Sequence, residues 1–204
     1  GMIDVGIDET KLDNQLPLDT KLVDSNGTTV RLGKYFDGER PVLLVFVYFN
    51  CPGICSILLD ELVMTLRDME WTAGGEFQIV TISMDPNDTP TSARLFQQKY
   101  VKQYERPSAR HGWHFLVSPD NSMKQVANAA GYMFKPVEGT SDFSHPGEMI
   151  ICTPDGRVSR YIAGIPEDPK QQPKTMKFSL LEAGDGKVGT WVDRFVLTCY
   201  HFDP

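Results

Sequence analysis

The stretch PVLLVFVYFNCPGICS, residues 41–56, joins the most apolar run of the chain to two cysteines, Cys51 and Cys55. Residues 42–49 are continuously apolar and rich in β-branched and aromatic types, which predicts a central strand covered on both faces. Residues 55–71 carry apolar side chains three or four positions apart, which predicts a helix packed on that sheet. The two thiols therefore belong to the loop between a buried strand and the helix that follows it.

The rest of the chain continues this alternation of strands and helices. Residues 20–36 predict a β-hairpin, because Asn26-Gly27 is typical of a type I′ turn. Further strands are predicted over residues 77–85, 113–118 and in a hairpin over 148–162, and further helices after Thr89, over 118–131 and around 174–183. This order predicts an α/β fold with a mixed central sheet flanked by helices and with an N-terminal β-hairpin.

Length and charge limit the classes of function. The chain has 204 residues, of which 41% are hydrophobic, and this suits a single domain. The net charge is -7 at pH 7, and Lys and Arg are scattered singly, so we expect no nucleic acid or anionic membrane as a partner. The longest apolar run is too short to cross a bilayer.

The cysteines point to chemistry in one place. Four cysteines, at positions 51, 55, 152 and 199, are too few and too widely spread for a disulfide-rich scaffold. The loop after a central strand is where ligands collect in open α/β sheets, and a helix N-terminus favours the thiolate of Cys55. Pro52 and Gly53 allow the two thiols to close a disulfide or to bind one soft cation. Two buried structural cysteines are the remaining alternative.

Four segments together resemble the Sco/SenC family of thioredoxin-like proteins, which assist assembly of cytochrome c oxidase. They are NCPGIC between strand and helix, SMDPNDTP, GWHFLVS, and SHPGEMIICTPDGRVSRYIAGI. The similarity runs from about Leu16 to the C-terminus, where CYHFDP resembles the ending of a bacterial subgroup. The resemblance implies a single thioredoxin-like domain over residues 16–204, after an N-terminal extension over residues 1–15.

The resemblance also implies a copper site made of three residues. Cys51 and Cys55 would be thiolate ligands, and His145 would be the imidazole ligand. Thiolates suit Cu(I) and imidazole suits Cu(II), so such a set holds copper in either state. The leading interpretation is a metallochaperone that delivers copper to a cuproprotein such as the CuA site of cytochrome c oxidase. Without the resemblance, His145 is as readily an ordinary loop histidine.

Two enzyme classes are alternatives for the same cysteines. In a thiol-disulfide oxidoreductase, Cys51 would attack and Cys55 would resolve, keeping a partner's metal-binding cysteines reduced. A peroxidase of the peroxiredoxin kind generally places a Thr and a distant Arg around its cysteine, whereas Tyr-Phe-Asn precedes Cys51 here. His145 discriminates between the first two hypotheses, because copper retention needs an imidazole there and disulfide exchange does not.

The resemblance carries expectations about partners and location. The expected partners are a cytochrome c oxidase subunit or another cuproprotein, together with a thiol-disulfide reductant. The family is usually tethered to a membrane on the extracytoplasmic side. We therefore expect a periplasmic protein, or one on the outer face of the inner membrane, whose native gene adds an N-terminal apolar anchor to this sequence.

Asp85 and two histidines are weaker candidates. Asp85 ends a predicted strand, so its carboxylate is expected either near the cysteine loop or as a cap of the following turn. His111 and His114 lead into a strand with no partner thiol nearby, which favours structural roles.

The two outer cysteines are also candidates. Cys152 lies in a predicted strand and is expected in the core. Cys199 and His201 would share one face of an extended segment, where we expect either a packed C-terminal strand or a secondary soft-metal site.

Overall fold

The computed structural model of the chain describes residues 4–50 and 54–189. Strands and helices are numbered here along the chain. The strands are β1 Gly6–Ile7, β2 Lys21–Val23, β3 Thr29–Arg31, β4 Val42–Val47, β5 Gln78–Ser83, β6 Trp113–Leu116, β7 Tyr132–Met133, β8 Lys135–Pro136, β9 Phe143–Ser144, β10 Glu148–Cys152 and β11 Val158–Ala163. The helices are α1 Ile54–Arg67, α2 Pro90–Tyr104, α3 Met123–Ala130 and α4 Gln172–Gly184.

The centre of the fold is a five-stranded mixed sheet with the order β11-β10-β4-β5-β6. Strands β4, β5 and β6 are parallel, whereas β10 is antiparallel to both β4 and β11. Every residue of β4 and β5 is buried, as expected for strands covered on both faces. The predicted α/β fold with a helix-flanked mixed sheet is confirmed.

Helices α1 and α2 make the crossovers that parallel strands require. Helix α1 contacts both α2 and α4, and α4 contacts β10 and β11. Helix α1 ends at Arg67, four residues before the predicted end, because Met69 N–H bonds back to the carbonyl of Leu66 and closes a tighter turn. Thr89 caps α2 and Gly131 closes α3 with a φ of 75°, as predicted, whereas α3 begins at Met123, five residues after its predicted start at residue 118.

The predicted N-terminal hairpin is present as β2 and β3, but its predicted type I′ turn is wrong. Gly27 has a φ of 80°, whereas Asn26 lacks the positive φ that this turn requires. The carboxylate of Asp24 accepts hydrogen bonds from the N–H groups of Asn26 and Thr28, both at 2.9 Å. This side chain stabilises a longer turn in which one glycine supplies the left-handed residue.

The N-terminal strand belongs to a separate, two-stranded sheet. Strand β1 pairs antiparallel with β7, so Ile7 lies opposite Tyr132. Residues 190–204 lie outside the described part of the chain, and with them the strand and the soft-metal site considered for Cys199 and His201. Within the described residues, no helix combines the length and apolar character needed to cross a membrane.

Candidate metal centre

The structure brings together Cys55 and His145, which are 90 residues apart in the sequence. Cys55 lies in the first turn of α1 and is 1% exposed. His145 lies between β9 and β10. Its Nε2 is 3.6 Å from the Sγ of Cys55. Cys51, the third predicted ligand, is among residues 51–53, outside the described part of the chain.

Strand pairing explains this approach. Strand β10 is antiparallel to β4, with Ile150 opposite Leu44 and Cys152 opposite Val42. The start of β10 therefore lies beside the end of β4. The loop that carries His145 enters β10 at the same edge of the sheet where the cysteine-bearing loop leaves β4. This is the edge at which ligands collect in open α/β sheets.

The second ring nitrogen of His145, Nδ1, has two hydrogen-bonding partners. Its Nδ1 lies 2.9 Å from the carbonyl oxygen of Pro146 and 3.1 Å from the Oη of Tyr132. A carbonyl oxygen only accepts hydrogen bonds, so this contact favours the tautomer with the ring hydrogen on Nδ1. In the neutral imidazole, Nε2 then presents a lone pair toward the sulfur of Cys55.

An aromatic ring lies against the imidazole. The ring of Tyr48 stands edge-on to His145, with centroids 6.1 Å apart, and contacts Phe143 at 5.1 Å. Tyr48 is 3% exposed and follows β4 directly. The ring of Tyr48 thus lies beside the imidazole and is itself packed against Phe143.

The separation of sulfur and nitrogen fits two ligands of one metal ion. Thiolate and imidazole bonds of about 2.3 and 2.0 Å to a first-row ion span 3.6 Å at an angle of roughly 110°, close to tetrahedral. No group of three or more His, Cys, Asp or Glu side chains within residues 4–50 and 54–189 is arranged to hold a metal. A full site therefore requires a further ligand from outside those ranges, and Cys51 is the predicted one.

Asp88 contributes to the site in a way that the sequence reasoning missed. It is 2% exposed, and its carboxylate accepts hydrogen bonds from Phe49 N–H at 2.7 Å, Asn50 Nδ2 at 3.0 Å and Ser83 Oγ at 2.5 Å. Burial raises the pKa of Asp88 above its usual value, against the lowering effect of its bonds to Ser83 and Phe49. The carboxylate thus holds the two residues that precede Cys51.

Asp85, the acid singled out in the same SMDPNDTP segment, has a different contact. It is 6% exposed, and its Oδ1 accepts a hydrogen bond from Asn87 N–H at 2.8 Å. This is the turn-capping alternative. The SMDPNDTP motif contains both acids, so it did indicate that an acid in this segment contributes to the site. No local sequence pattern distinguishes an acid that caps its own turn, as Asp85 does, from one that reaches a neighbouring loop, as Asp88 does.

His111 precedes β6, and His114 lies within this strand. His114 Nε2 accepts a hydrogen bond at 2.7 Å from the side-chain amide of Gln78, and its ring lies 4.4 Å from that of Tyr35. Burial, followed by the nearby charges of Lys34 and Arg40, lowers the pKa of His114 to about 4. His114 is therefore a neutral packing residue, as predicted.

Cys152 is a core residue, as predicted. It lies at the end of β10, is fully buried, and has its thiol pKa raised by that burial. A buried, protonated thiol is a poor ligand and a poor nucleophile.

Comparisons with known proteins agree with this architecture. Protein SCO2 homolog, mitochondrial, of Homo sapiens is 29% identical over 153 residues, which are 70% of this chain and 52% of that protein. The SCO1 protein homolog of Bacillus subtilis (strain 168) is 23% identical over 129 residues, which are 61% of this chain and 62% of that protein. The chain thus spans between half and two thirds of the length of these relatives.

A solved structure gives the same result for the fold. The structure of Bradyrhizobium japonicum ScoI with copper bound matches with a TM-score of 0.56 and 26% identity, covering 79% of this chain and 97% of that one. The predicted thioredoxin-like fold is confirmed. A model of the SCO1/SenC family matches residues 9–178. Because that match covers most of the sequence, the chain belongs to the SCO1/SenC family.

Proposed function

We propose that the protein is a metallochaperone that holds one copper ion through Cys51, Cys55 and His145. The observation that carries this proposal is the 3.6 Å separation between Cys55 Sγ and Nε2 of His145. The copper bound to the related ScoI supports copper as the metal. Thiolate and imidazole ligands together accept Cu(I) and Cu(II) without a large change in the ligand set.

Delivery to a cuproprotein, such as the CuA site of cytochrome c oxidase, is the finer part of the proposal. Transfer by ligand exchange requires a ligand that leaves while the others still hold the ion. The loop of His145 suits this role, because its neighbours Ser144 and Gly147 are exposed. Two thiolates alone still satisfy Cu(I), which accepts nearly linear coordination. We place the exchange in an extracytoplasmic compartment, with the native protein anchored in a membrane.

A thiol-disulfide reductant is the second proposed partner. Copper binding needs both thiols reduced, and the extracytoplasmic compartment favours disulfides. A dithiol donor would reduce a Cys51–Cys55 disulfide by two electrons, become a disulfide itself, and leave both thiols free for copper.

The alternative function is a thiol-disulfide oxidoreductase, which the position of Cys55 in the first turn of α1 favours, because a helix N-terminus favours a thiolate. The thiolate of Cys51 would attack a partner's disulfide and release one partner thiolate. Cys55, as its thiolate, would then attack the sulfur of Cys51, which breaks the mixed disulfide and releases the second thiolate of the partner. The partner leaves as a dithiol and the chain as a Cys51–Cys55 disulfide, so the two electrons balance.

Copper titration of the fully reduced chain tests the proposal. We expect one copper per chain by elemental analysis. His145→Ala should lose most Cu(II) binding and its thiolate-to-copper absorption, while retaining Cu(I) more weakly. His111→Ala is the matched control, because His111 is an exposed histidine outside the site, and it should bind copper like the unmodified chain.

Disulfide exchange with a small dithiol separates the two functions. His145→Ala should change that rate by no more than a few-fold, because the rate depends on thiolate fraction and access. Unchanged Cu(II) affinity together with a collapse in exchange would reject the chaperone. It would make His145 the base that activates the thiols.

A further inference from the structure

We propose that Tyr132 is a positioning residue, whose hydroxyl fixes the tautomer and the orientation of His145. This inference deepens the proposed function. Its statement about copper affinity rests on that function, whereas its statement about the tautomer of His145 does not. The Oη of Tyr132 lies 2.8 Å from the carbonyl oxygen of Pro146 and 3.1 Å from Nδ1 of His145. Tyr132 thus contacts both the histidine and the backbone that carries it.

The ring of Tyr132 is a rigid support for this hydroxyl. Tyr132 is 1% exposed and begins β7, directly after Gly131 closes α3. It pairs with Ile7 of β1, and its ring lies 4.7 Å from that of Phe46 in the central strand β4. The hydroxyl is therefore held from the sheet itself, independently of the loop that carries His145.

One arrangement of hydrogens satisfies all three polar atoms. Pro146 O can only accept, and both the hydroxyl and Nδ1 lie within hydrogen-bond distance of it, at 2.8 and 2.9 Å. The hydroxyl therefore donates to this carbonyl, and its own lone pair faces Nδ1 of His145. That lone pair is satisfied only if Nδ1 carries the hydrogen. Tyr132 and Pro146 together thus select the tautomer with a free Nε2.

The selected tautomer is the one that a metal site needs. Nε2 of His145 faces Cys55, so a hydrogen on this nitrogen would block coordination. Groups that bind the second nitrogen of a ligating histidine set its tautomer and ring orientation, and their removal typically lowers metal affinity by about 10- to 100-fold. The carbonyl of Pro146 belongs to the loop that carries His145, whereas the hydroxyl of Tyr132 belongs to β7.

The Tyr132→Phe variant removes this hydroxyl and keeps the ring. The matched control is Tyr104→Phe, because Tyr104 is also fully buried and its hydroxyl also makes one backbone bond, from Ala73 N–H at 3.2 Å. Ala73 lies beyond the far end of α1, away from the site. Circular dichroism and the melting temperature of both variants would establish that each folds.

The first measurement is the ¹⁵N spectrum of His145 in the copper-free, reduced chain at alkaline pH, where the imidazole is neutral. We expect hydrogen on Nδ1 in the unmodified chain and in Tyr104→Phe, and a mixture of both tautomers in Tyr132→Phe. Hydrogen on Nε2 in the unmodified chain would overturn the inference without any variant. An unchanged tautomer in Tyr132→Phe would also overturn it.

The second measurement is Cu(II) affinity by competition with a chelator. Tyr132→Phe should bind Cu(II) roughly tenfold more weakly than both the unmodified chain and Tyr104→Phe. Equal affinity in the two variants would overturn the positioning role. If the unmodified chain bound no copper, the proposed function would fail, and the tautomer measurement would still decide the role of Tyr132.

Discussion

The backbone N–H of Phe49 donates a hydrogen bond of 2.7 Å to the buried carboxylate of Asp88. Phe49 lies just after the central strand β4, and Asp88 lies in the segment between β5 and α2. The same carboxylate accepts from Asn50 Nδ2 and Ser83 Oγ. Two neighbouring loops at the carboxyl edge of the sheet are therefore joined through one side chain, immediately before Cys51.

Asp88→Asn should weaken Cu(II) binding by roughly tenfold, because the amide replaces an acceptor oxygen with a donor that faces other donors. The residues before Cys51 would then lose part of their anchor. Cu(II) competition titrations on the reduced chain measure the effect.

Asp24→Asn is the control for that substitution. Asp24 also accepts two backbone N–H groups, at 2.9 Å each, but in the β2–β3 turn. Its variant should keep the copper affinity of the unmodified chain. An equal loss in both variants would mean that general destabilisation, and not the anchor at Phe49, is responsible.

Oxidation should join Cys51 to Cys55 and leave Cys152 free. Cys152 is fully buried with a raised thiol pKa, so alkylating reagents should reach it only after unfolding. Peptide mass mapping after mild oxidation, with alkylation before and after denaturation, measures both outcomes. A disulfide between Cys152 and either residue of the pair would contradict the site assignment.

Acid should destabilise the fold through His114, whose pKa is lowered from 6.5 to about 4 by burial. The unfolded chain takes up a proton at this residue before the folded chain does. Its contribution to stability is therefore complete above pH 6.5 and is lost as the pH falls toward 4, amounting to at most about 3 kcal/mol.

The His114→Asn variant tests this pH dependence, because an amide does not titrate. Urea unfolding should show that the stability of the variant varies less between pH 6.5 and about 4 than that of the unmodified chain. The same slope in both proteins would show that other groups cause the acid effect. The lost ring contact with Tyr35 should lower stability equally at every pH.

Gly164→Ala should displace the loop of His145. A Cβ at Gly164 would lie 2.4 Å from the carbonyl oxygen of Gly147 and 3.0 Å from Leu58, so the backbone of the loop must move. We expect weaker Cu(II) binding by roughly tenfold, since small misplacements of a metal ligand lower affinity.

Gly147→Ala is the control within the same loop. A Cβ there meets no atom within 4 Å. Copper titration of the two alanine variants should therefore give near-normal affinity for Gly147→Ala and reduced affinity for Gly164→Ala. Normal affinity in both would show that the site tolerates movement of the loop.

Much of the architecture was predictable because its signals are local. The continuous apolar runs of β4 and β5 predict strands buried on both faces, and the Thr89-Pro90 and Gly131 signals predict helix ends from backbone preferences alone. The type I′ turn was wrong because the side chain of Asp24 competes for the same N–H groups. That contact lies outside the dipeptide on which the prediction depended.

The sequence by itself determined that Cys51 follows a buried strand and that Cys55 begins a helix. Both assignments depend only on neighbouring residues in the chain. Only the tertiary structure decided that His145 reaches Cys55, that Tyr132 holds the imidazole and that Asp88 holds Phe49. The physical reason is sheet pairing. Antiparallel pairing of β10 with β4 and parallel pairing of β4 with β5 bring distant loops to one edge, where short-range hydrogen bonds select their partners.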